Sequence, residues 1–406
     1  MKYFALYLPV LFLLFFTACT PPKVVEWRGP NRSGVYNEKN LLKQWPDSGP
    51  KLLWEYEGIG NGYGTPLITD ELIYVNGEVD STGYMFAFSK DGKLQWKTEY
   101  GKEWTVNFPG SRATPTYYDG LLYTCSGKGD ISCFNAADGD KIWPKNMLNE
   151  LSGKENRFGY SQSLVVDREK VYCSPGGEEN NIVALNRLNG EIVWSSPAEK
   201  EISAYCSPIL VNYAGKNILI TFSEHHLLGI NAENGNMLWS HEQDTLCDIH
   251  ANTPIFDNGF VYYTAGCGNM TYKLKISEDG NSVSEVWQNK SLDNYFGGCV
   301  KIGNSIIGTG ARKKYLKRVD CETGLLTDSL KVGTGSTIYA DGMLYMYNQQ
   351  GEIHLIDPSG ELKSVSMFKL TKGSKEHFSH PTIDKGVLYI RRGNYIAAYN
   401  ISNNQK

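Results

Sequence analysis

Seven side chains able to stack on a ligand or hydrogen-bond to it recur at similar places along the chain. Most stand two or three residues before a small residue that is often followed by proline, as in Thr65-Pro66 and Ser207-Pro208. These funnel residues are Tyr63, Arg112, Tyr160, Tyr205, His250, Tyr295 and His377. Aromatic rings, a guanidinium and imidazoles gathered in one place bind ligands by stacking, cation–π contact and hydrogen bonds. The alternative is that they plug a channel and satisfy buried strand ends, and the sequence leaves both open.

Other chemistry has little support in the sequence. The chain has no P-loop, G-x-S-x-G, H-E-x-x-H or D-x-D-x-D-G motif, so no catalytic residue and no metal ligand is assigned. Asp248 and Asp293 are candidate catalytic acids or bases, but any chain of this size contains such residues. The pair His225-His226 is expected to be exposed. The basic run 312–318 predicts a solvated hairpin loop, with an anionic docking patch as the alternative.

A repeated pattern must position these side chains. Each unit has a turn, an apolar strand that often ends in tyrosine, a second apolar strand, and a D-G or N-G turn that often leads to tryptophan, as in 138–143 and 234–239. The tyrosine position falls at Tyr74, Tyr123, Tyr172, Ile220, Tyr262, Gly308, Tyr345 and Tyr389. A repeat of this length made of short strands predicts an all-β fold. The expected architecture is an eight-bladed β-propeller of four-stranded antiparallel blades.

The last unit stops before its outer strand. The segment 51–54, which reads Lys-Leu-Leu-Trp, resembles a repeat ending and precedes the first full unit. We therefore expect this N-terminal strand to pair with the C-terminal blade and close the ring, because closure removes two open sheet edges. Each outer-strand tryptophan is expected to wedge between blades and to donate its indole N–H to a backbone carbonyl.

The N-terminus resembles a signal sequence for export. One lysine precedes an apolar run that ends in Phe16-Thr17-Ala18-Cys19. This ending resembles a bacterial lipobox with Phe16 in place of leucine, which implies cleavage before Cys19 and lipidation of that residue. The alternative is an ordinary signal peptide with an incidental cysteine. The predicted organisation is a lipoprotein signal peptide over 1–18, a lipid tether over 19–26, a single propeller over 27–401 and a disordered tail over 402–406.

Composition narrows the function classes. The 406 residues include 42 glycines, 12% are aromatic, and the formal net charge is −4. Without an excess of positive charge, nucleic acid is not an expected partner. Cys125 and Cys133 flank a turn, and either a hairpin disulfide or two small buried residues is compatible with their spacing. The chain is expected to be a monomer.

The turn-to-tryptophan segments resemble the tryptophan-docking motif of the PQQ-like propeller family. They occur at 135–143, 184–194 and 230–239, and the start at 27–34, which reads WRGPNRSG, is similar to that of many exported members. The resemblance implies one of two functional types. Lipoproteins of the BamB type are non-catalytic scaffolds, whereas quinoprotein dehydrogenases hold PQQ with calcium at the ring centre, many of them beneath a disulfide between adjacent cysteines. No adjacent cysteine pair occurs here.

The expected function is therefore a lipid-anchored, non-catalytic binding or scaffolding module of the bacterial cell envelope. We expect no cofactor. We expect the partner to be a protein or a small ligand. The alternatives are a PQQ-dependent oxidoreductase and a capture protein for a glycan or another nutrient. Thr20 after the lipobox cysteine, where aspartate commonly signals inner-membrane retention, favours the periplasmic face of the outer membrane.

Overall fold

The computed structural model describes residues 22–243, 249–265, 270–294, 296–311 and 313–403. Their strands form eight sheets, each containing four antiparallel strands in the order of a propeller blade, and in two of these sheets a short strand from the N-terminal segment adds a fifth. Three strands and one short 3-10 turn precede the first blade: β1 (Val24–Val25), the turn Pro30–Arg32, β2 (Val35–Tyr36) and β3 (Lys51–Glu57).

The blades follow one another along the chain, and the strands of each blade run from the channel outward. The first four blades consist of β4 (Leu67–Ile68), β5 (Ile73–Val79), β6 (Thr82–Phe88) and β7 (Leu94–Lys102) in blade 1; β8 (Thr116–Tyr118), β9 (Leu121–Cys125), β10 (Asp130–Asn135) and β11 (Lys141–Asn146) in blade 2; β12 (Val165–Val166), β13 (Lys170–Cys173), β14 (Ile182–Asn186) and β15 (Ile192–Ser196) in blade 3; β16 (Ile209–Tyr213), β17 (Lys216–Phe222), β18 (His226–Asn231) and β19 (Met237–Glu242) in blade 4.

The other four blades are built in the same way. They consist of β20 (Ile255–Asp257), β21 (Phe260–Thr264), β22 (Thr271–Ile276) and β23 (Val283–Asn289) in blade 5; β24 (Val300–Ile302), β25 (Ser305–Thr309), β26 (Leu316–Asp320) and β27 (Leu326–Leu330) in blade 6; β28 (Gly335–Ala340), β29 (Met343–Asn348), β30 (Glu352–Asp357) and β31 (Lys363–Lys369) in blade 7; β32 (Thr382–Asp384), β33 (Val387–Arg392), β34 (Tyr395–Asn400) and β3 in blade 8.

The predicted closure of the ring is confirmed. Strand β3 pairs antiparallel with β34, from Lys51 opposite Asn400 to Glu57 opposite Tyr395, and is the outer strand of blade 8. The predicted tyrosine positions all fall in the second strand of a blade. The eight-bladed, all-β architecture predicted from the repeat is therefore the observed one.

The core lies between neighbouring blades. In one apolar cluster Tyr123 and Cys133 of blade 2 pack with Val171 and Leu185 of blade 3. A single blade cannot cover its own broad apolar faces, so each blade requires its neighbours. Cys125 and Cys133 are both buried and free, and they do not face each other, since Ile131 lies opposite Cys125.

The predicted indole hydrogen bonds are confirmed for four outer-strand tryptophans, Trp54, Trp143, Trp194 and Trp287, and not for Trp96 and Trp239, whose Nε1 atoms are buried without a partner among the described residues. Trp54 of β3 donates its Nε1–H to the carbonyl oxygen of Lys90 in blade 1 at 2.9 Å, and Trp143 donates to Arg187 in blade 3 at 2.9 Å. Gly92 lies in the turn beneath Trp54 with φ +83°, and a Cβ there would come within 2.5 Å of the indole ring. The D-G turn therefore needs glycine both for its backbone conformation and for the close approach of the tryptophan.

The chain before β3 forms a plug, residues 24–36, that the repeat pattern did not predict. Strand β1 pairs antiparallel with the innermost strand of blade 2, and β2 pairs parallel with the innermost strand of blade 7. The plug therefore enters the channel, turns back at Pro30–Arg32 and leaves on the side where it entered. The predicted tether over 19–26 overlaps β1, because Val24 and Val25 are already paired with the ring.

Candidate functional site

Strand direction gives the ring two different faces. The turns between the first and second strands and between the third and fourth strands of each blade form the short-turn face. The connections between blades, together with the turns between second and third strands, form the long-loop face. Lys23 lies at the short-turn face, where its carbonyl oxygen accepts a hydrogen bond from the Asp119 N–H at 3.0 Å.

Two buried arginines hold the plug in the channel. Arg32 is 3% exposed and donates to the carbonyl oxygens of Ser163 and Leu164, each at 2.6 Å, and to Glu26 at 2.7 Å. Arg28 is 2% exposed and donates to the Cys299 carbonyl oxygen at 2.6 Å. Burial lowers the pKa of Arg28 to about 10. The two guanidinium groups thus satisfy strand-end carbonyls on opposite sides of the channel.

Tyr63, Arg112 and Tyr205 come together at the long-loop face, where charge interactions link Arg112 to both tyrosines. Tyr205 is buried, with its ring centroid 5.8 Å from that of Phe158. Tyr63 donates its hydroxyl hydrogen to Glu376 at 2.7 Å and is half-buried. Arg112 donates to the carbonyl oxygens of Asn107 and Phe108, which fixes the loop that precedes it. Burial lowers the pKa of Arg112, and interactions with Glu103, Tyr63 and Tyr205 partly oppose that shift.

Three other funnel residues pack inside the ring. The Tyr160 hydroxyl donates to the Pro175 carbonyl oxygen at 2.8 Å within the core between blades 2 and 3. His250 is fully buried, stacks on Phe222 and lies 3.0 Å from the Glu224 carbonyl oxygen. His377 is buried, and its Nδ1 lies 2.5 Å from the Tyr347 hydroxyl. These three side chains satisfy or cover buried groups, as in the plug alternative of the sequence analysis.

Several sequence predictions fall outside the described residues. They concern the signal peptide and Cys19, Asp248, Tyr295, Arg312 and the end of the tail at 404–406. The structure does not describe these positions, and the predictions made for them stay predictions.

An aromatic cluster at the long-loop face was missed by the sequence analysis. Phe378 is its hub, with ring centroids 4.9 Å from Phe296, 5.5 Å from Tyr63 and 6.0 Å from Phe108. Its members come from four different connections between blades. Phe108 is 47% exposed and Val106, on the same loop, is 68% exposed. The available signal was large apolar residues within glycine- and proline-containing connections, as in Phe108-Pro109-Gly110.

A buried arginine fixes the loop that carries Tyr63. Arg391 is fully buried and donates to the carbonyl oxygens of Gly64 at 3.0 Å and of Asn76 at 2.6 Å. Burial lowers its pKa to about 10. Arg391 and Arg112 thus hold the two loops that carry Tyr63 and Phe108 in place before any partner arrives.

Besides the aromatic cluster, a concave site lies at the short-turn face. A cavity of about 460 Å³ lies between the plug and the innermost strands of blades 8 and 1. Its walls include Trp27 and Tyr36 of the plug, Thr69 and Asp70 after β4, and Asp384 at the end of β32. Its volume is in the range of small-ligand sites.

The described channel residues do not fit PQQ with calcium. Such a pair needs central space and a set of oxygen ligands. Arg28 and Arg32 of the plug occupy the channel, and in the described ranges no three His, Cys, Asp or Glu side chains gather to hold a metal ion. No chemical step through this cofactor is derived. In the same part of the chain no helix is long and apolar enough to cross a membrane.

Comparison with known proteins identifies similar families. The family model described as "Outer membrane protein assembly factor BamB" matches residues 101–325, more than half of the chain. BamB of Shewanella oneidensis is 24% identical over 160 residues, which are 38% of each chain. An uncharacterised protein of Rickettsia conorii is 24% identical over 64% of this chain and 60% of its own length. The chain therefore spans less than two thirds of these curated relatives.

Solved structures share the fold at low identity. The crystal structure of BamB from Moraxella catarrhalis has a TM-score of 0.63 and 11% identity, covering 87% of this chain and 98% of that one. Quinohemoprotein alcohol dehydrogenase from Comamonas testosteroni has a TM-score of 0.67 and 10% identity, covering 93% and 80%. Because an outer membrane protein assembly factor and an alcohol dehydrogenase share this ring, the likeness shows the fold and leaves function to the site.

Proposed function

The chain belongs to the family described as outer membrane protein assembly factor BamB, and on that premise we propose that it is a non-catalytic binding or scaffolding module of the bacterial envelope. In this proposal Cys19 carries the lipid and the ring stands on the periplasmic side of the outer membrane. A protein of the envelope is its partner.

One observation carries the proposal: the long-loop face presents a preformed apolar surface. Phe108 is 47% exposed with its ring 6.0 Å from that of Phe378, and Val106 on the same loop is 68% exposed. Arg112 holds this loop through two backbone carbonyls. Exposed apolar patches on soluble proteins mark interaction sites. A patch that is already ordered loses little conformational freedom when a partner binds, so more of the contact energy remains as affinity.

Co-purification from envelope membranes tests this surface. We expect a Val106→Ser, Phe108→Ser double variant to lose proteins that cross-link to the wild type. The matched control is Leu188→Ser with Ile192→Ser, because these residues are 58% and 50% exposed on the short-turn face. Equal recovery from all three forms would rule out the long-loop face as the binding surface.

The runner-up function is a PQQ-dependent oxidoreductase. It is supported by the shared ring of quinohemoprotein alcohol dehydrogenase and opposed by the filled channel. Incubation with PQQ and calcium followed by a dye-linked dehydrogenase assay separates the two functions. Activity that requires both additions would overturn the non-catalytic proposal.

Capture of a glycan or another small nutrient is favoured by the cavity beside the plug. Trp27 offers an aromatic wall, and the side chains of Thr69 and Asp70 offer polar atoms. Thermal shift against a panel of sugars tests it, since a ligand that binds only the folded chain raises Tm. A shift that is absent in Trp27→Ala would place the ligand in this cavity.

A further inference from the structure

Lysines without acidic partners line one side of the long-loop face. Six exposed lysines belong to this basic crescent: Lys290, Lys313, Lys314, Lys331, Lys369 and Lys375. They lie at the ends of strands or in loops of blades 5 to 8. Among the described residues no carboxylate lies within ion-pair distance of any of the six, whereas the neighbouring Lys372 pairs with Glu55.

The loops of the crescent form one continuous layer. The Gly333 N–H donates to the Lys314 carbonyl oxygen, and the Gln349 N–H donates to the Thr334 carbonyl oxygen. Further around the ring, the Arg392 Nε–H donates to the carbonyl oxygen of Lys375. The lysines therefore project from a hydrogen-bonded surface that holds them on one side of the ring.

The same face behaves differently on blades 2 and 3. There Lys128 pairs with Glu155 at 2.8 Å, Lys145 with Glu150 at 3.1 Å and Lys154 with Glu178 at 3.0 Å. Lysine is thus ion-paired on blades 2 and 3, whereas the six crescent lysines make no ion pair within the described residues. Of the six, Lys369 lies opposite Glu352 across a strand pair and helps to lower the pKa of that carboxylate. A cluster of uncompensated charge raises the local concentration of oppositely charged partners and speeds their association.

We propose that the basic crescent, with the aromatic cluster beside it, binds an acidic polypeptide segment that carries aromatic side chains. The two surfaces adjoin because Lys375 and Phe378 belong to the same connection between blades 7 and 8. The lysines attract the carboxylates, and Phe378 and Phe108 stack with the aromatic side chains. This deepens the scaffolding function proposed above by specifying the chemistry of the partner.

The position of the proposed anchor argues against a lipid surface as the occupant. Three residues separate Cys19 from Lys23, so the lipid lies within about 14 Å of the short-turn face. The strands of the blades place the crescent about 20 Å away on the opposite face. This step rests on the proposed lipidation of Cys19. With the anchor on one face, the crescent points away from the membrane that holds the chain.

Binding of defined polymers to the detergent-solubilised full chain tests the proposal. We expect a labelled glutamate–tyrosine copolymer to bind more tightly than polyglutamate, and added salt to weaken both. Reversal of three crescent charges, Lys313→Glu with Lys314→Glu and Lys331→Glu, is expected to weaken copolymer binding about tenfold. The same charge change in Lys128→Glu with Lys145→Glu and Lys154→Glu is expected to weaken it less than about twofold.

Other outcomes would overturn the assignment. Equal loss in the two triple variants would show attraction by net charge without a site. Binding to phosphatidylglycerol-containing vesicles but not to the copolymer would identify an anionic lipid surface instead. Self-association that the crescent variant abolishes would identify a second copy of the chain. Membrane fractionation separately tests the anchor, so failure of the crescent and failure of the lipidation are distinguishable.

Discussion

His377 shows how a single buried side chain couples pH to stability. Burial, together with the charges of Arg392 and Lys369, lowers its pKa to about 4, and its Nδ1 contacts the Tyr347 hydroxyl. In the unfolded chain a histidine titrates near about 6.5. The unfolded state therefore binds more protons between these values, and the free energy of unfolding falls as the pH drops from about 6.5 to about 4.

Replacement of His377 by glutamine tests this coupling. We expect the urea midpoint of the variant to fall less steeply over that pH range than that of the wild type. Some slope will remain, because burial also lowers the pKa of His380. Parallel pH profiles for the wild type and the variant would show that His377 titrates alike in the folded and unfolded states.

The sequence indicated the right connections at the mouth but not always the right side chains. His377 was singled out for its chemistry, yet the next residue, Phe378, is the centre of the aromatic cluster. His250 was placed at the mouth, and the structure buries it on Phe222. Repeat alignment gives the loop, whereas the direction of a side chain depends on packing that has no repeated signal.

Replacement of Trp54 tests how strongly the closing strand stabilises the ring. It lies on β3, donates to Lys90 of blade 1 and packs over Gly92. Trp54→Ala is expected to cost about 2–3 kcal/mol of stability, somewhat below the cost for a fully buried tryptophan, because this side chain is half-buried. Urea unfolding measures the loss, and Leu53→Ala is the control because Leu53 on the same strand is 46% exposed. Similar costs for both variants would contradict the wedge role of Trp54.

A second prediction concerns the contribution of the plug to stability. Arg32→Ala removes the donors to Ser163 and Leu164 and leaves the Glu26 carboxylate without its partner. Unsatisfied buried groups cost about 1–3 kcal/mol each, so we expect a loss of about 3 kcal/mol or more in urea unfolding. The exposed Arg157→Ala is the matched control, with an expected effect within about 0.5 kcal/mol. Equal effects would mean that water replaces the guanidinium.

The plug escaped prediction for a physical reason. Its residues stand outside the repeat, and the bend that returns it to the short-turn face relies on positive φ at Arg28, Asn31 and Arg32. Such conformations are uncommon for residues other than glycine and give no sequence pattern. The closing strand, by contrast, carries the same leucine–tryptophan ending as the repeats and was predicted from it.

Across the whole ring, contacts between neighbouring blades and between their loops stabilise the fold. The repeated tyrosines and tryptophans predicted the blade count, because each of these residues serves a contact between blades. The arrangement of charge on the long-loop face was not predicted, since it arises from loops of different blades. The run at 312–318 predicted a hairpin loop, with a local anionic docking patch as the alternative, whereas Lys331 and Lys375 extend the basic surface around the ring.

The last prediction concerns the proposed lipid anchor of the ring. Cys19→Ala is expected to move the protein from the detergent phase to the aqueous phase on Triton X-114 partition, or to leave it unprocessed, because stable anchoring requires more than one acyl chain. Thr20→Ala is the control, since it retains the cysteine.

The stability of the folded ring should not change in the Cys19→Ala variant. The described contacts of the chain begin beyond Cys19, with Lys23 and the pairing of β1 to β8. Thermal unfolding of the released Cys19→Ala protein is therefore expected to match that of the wild type in the same detergent. Partition of Cys19→Ala into the detergent phase as a processed protein would contradict the lipid anchor. It would also remove the argument that the basic crescent faces away from the membrane, while the polymer-binding test of the crescent would stand unchanged.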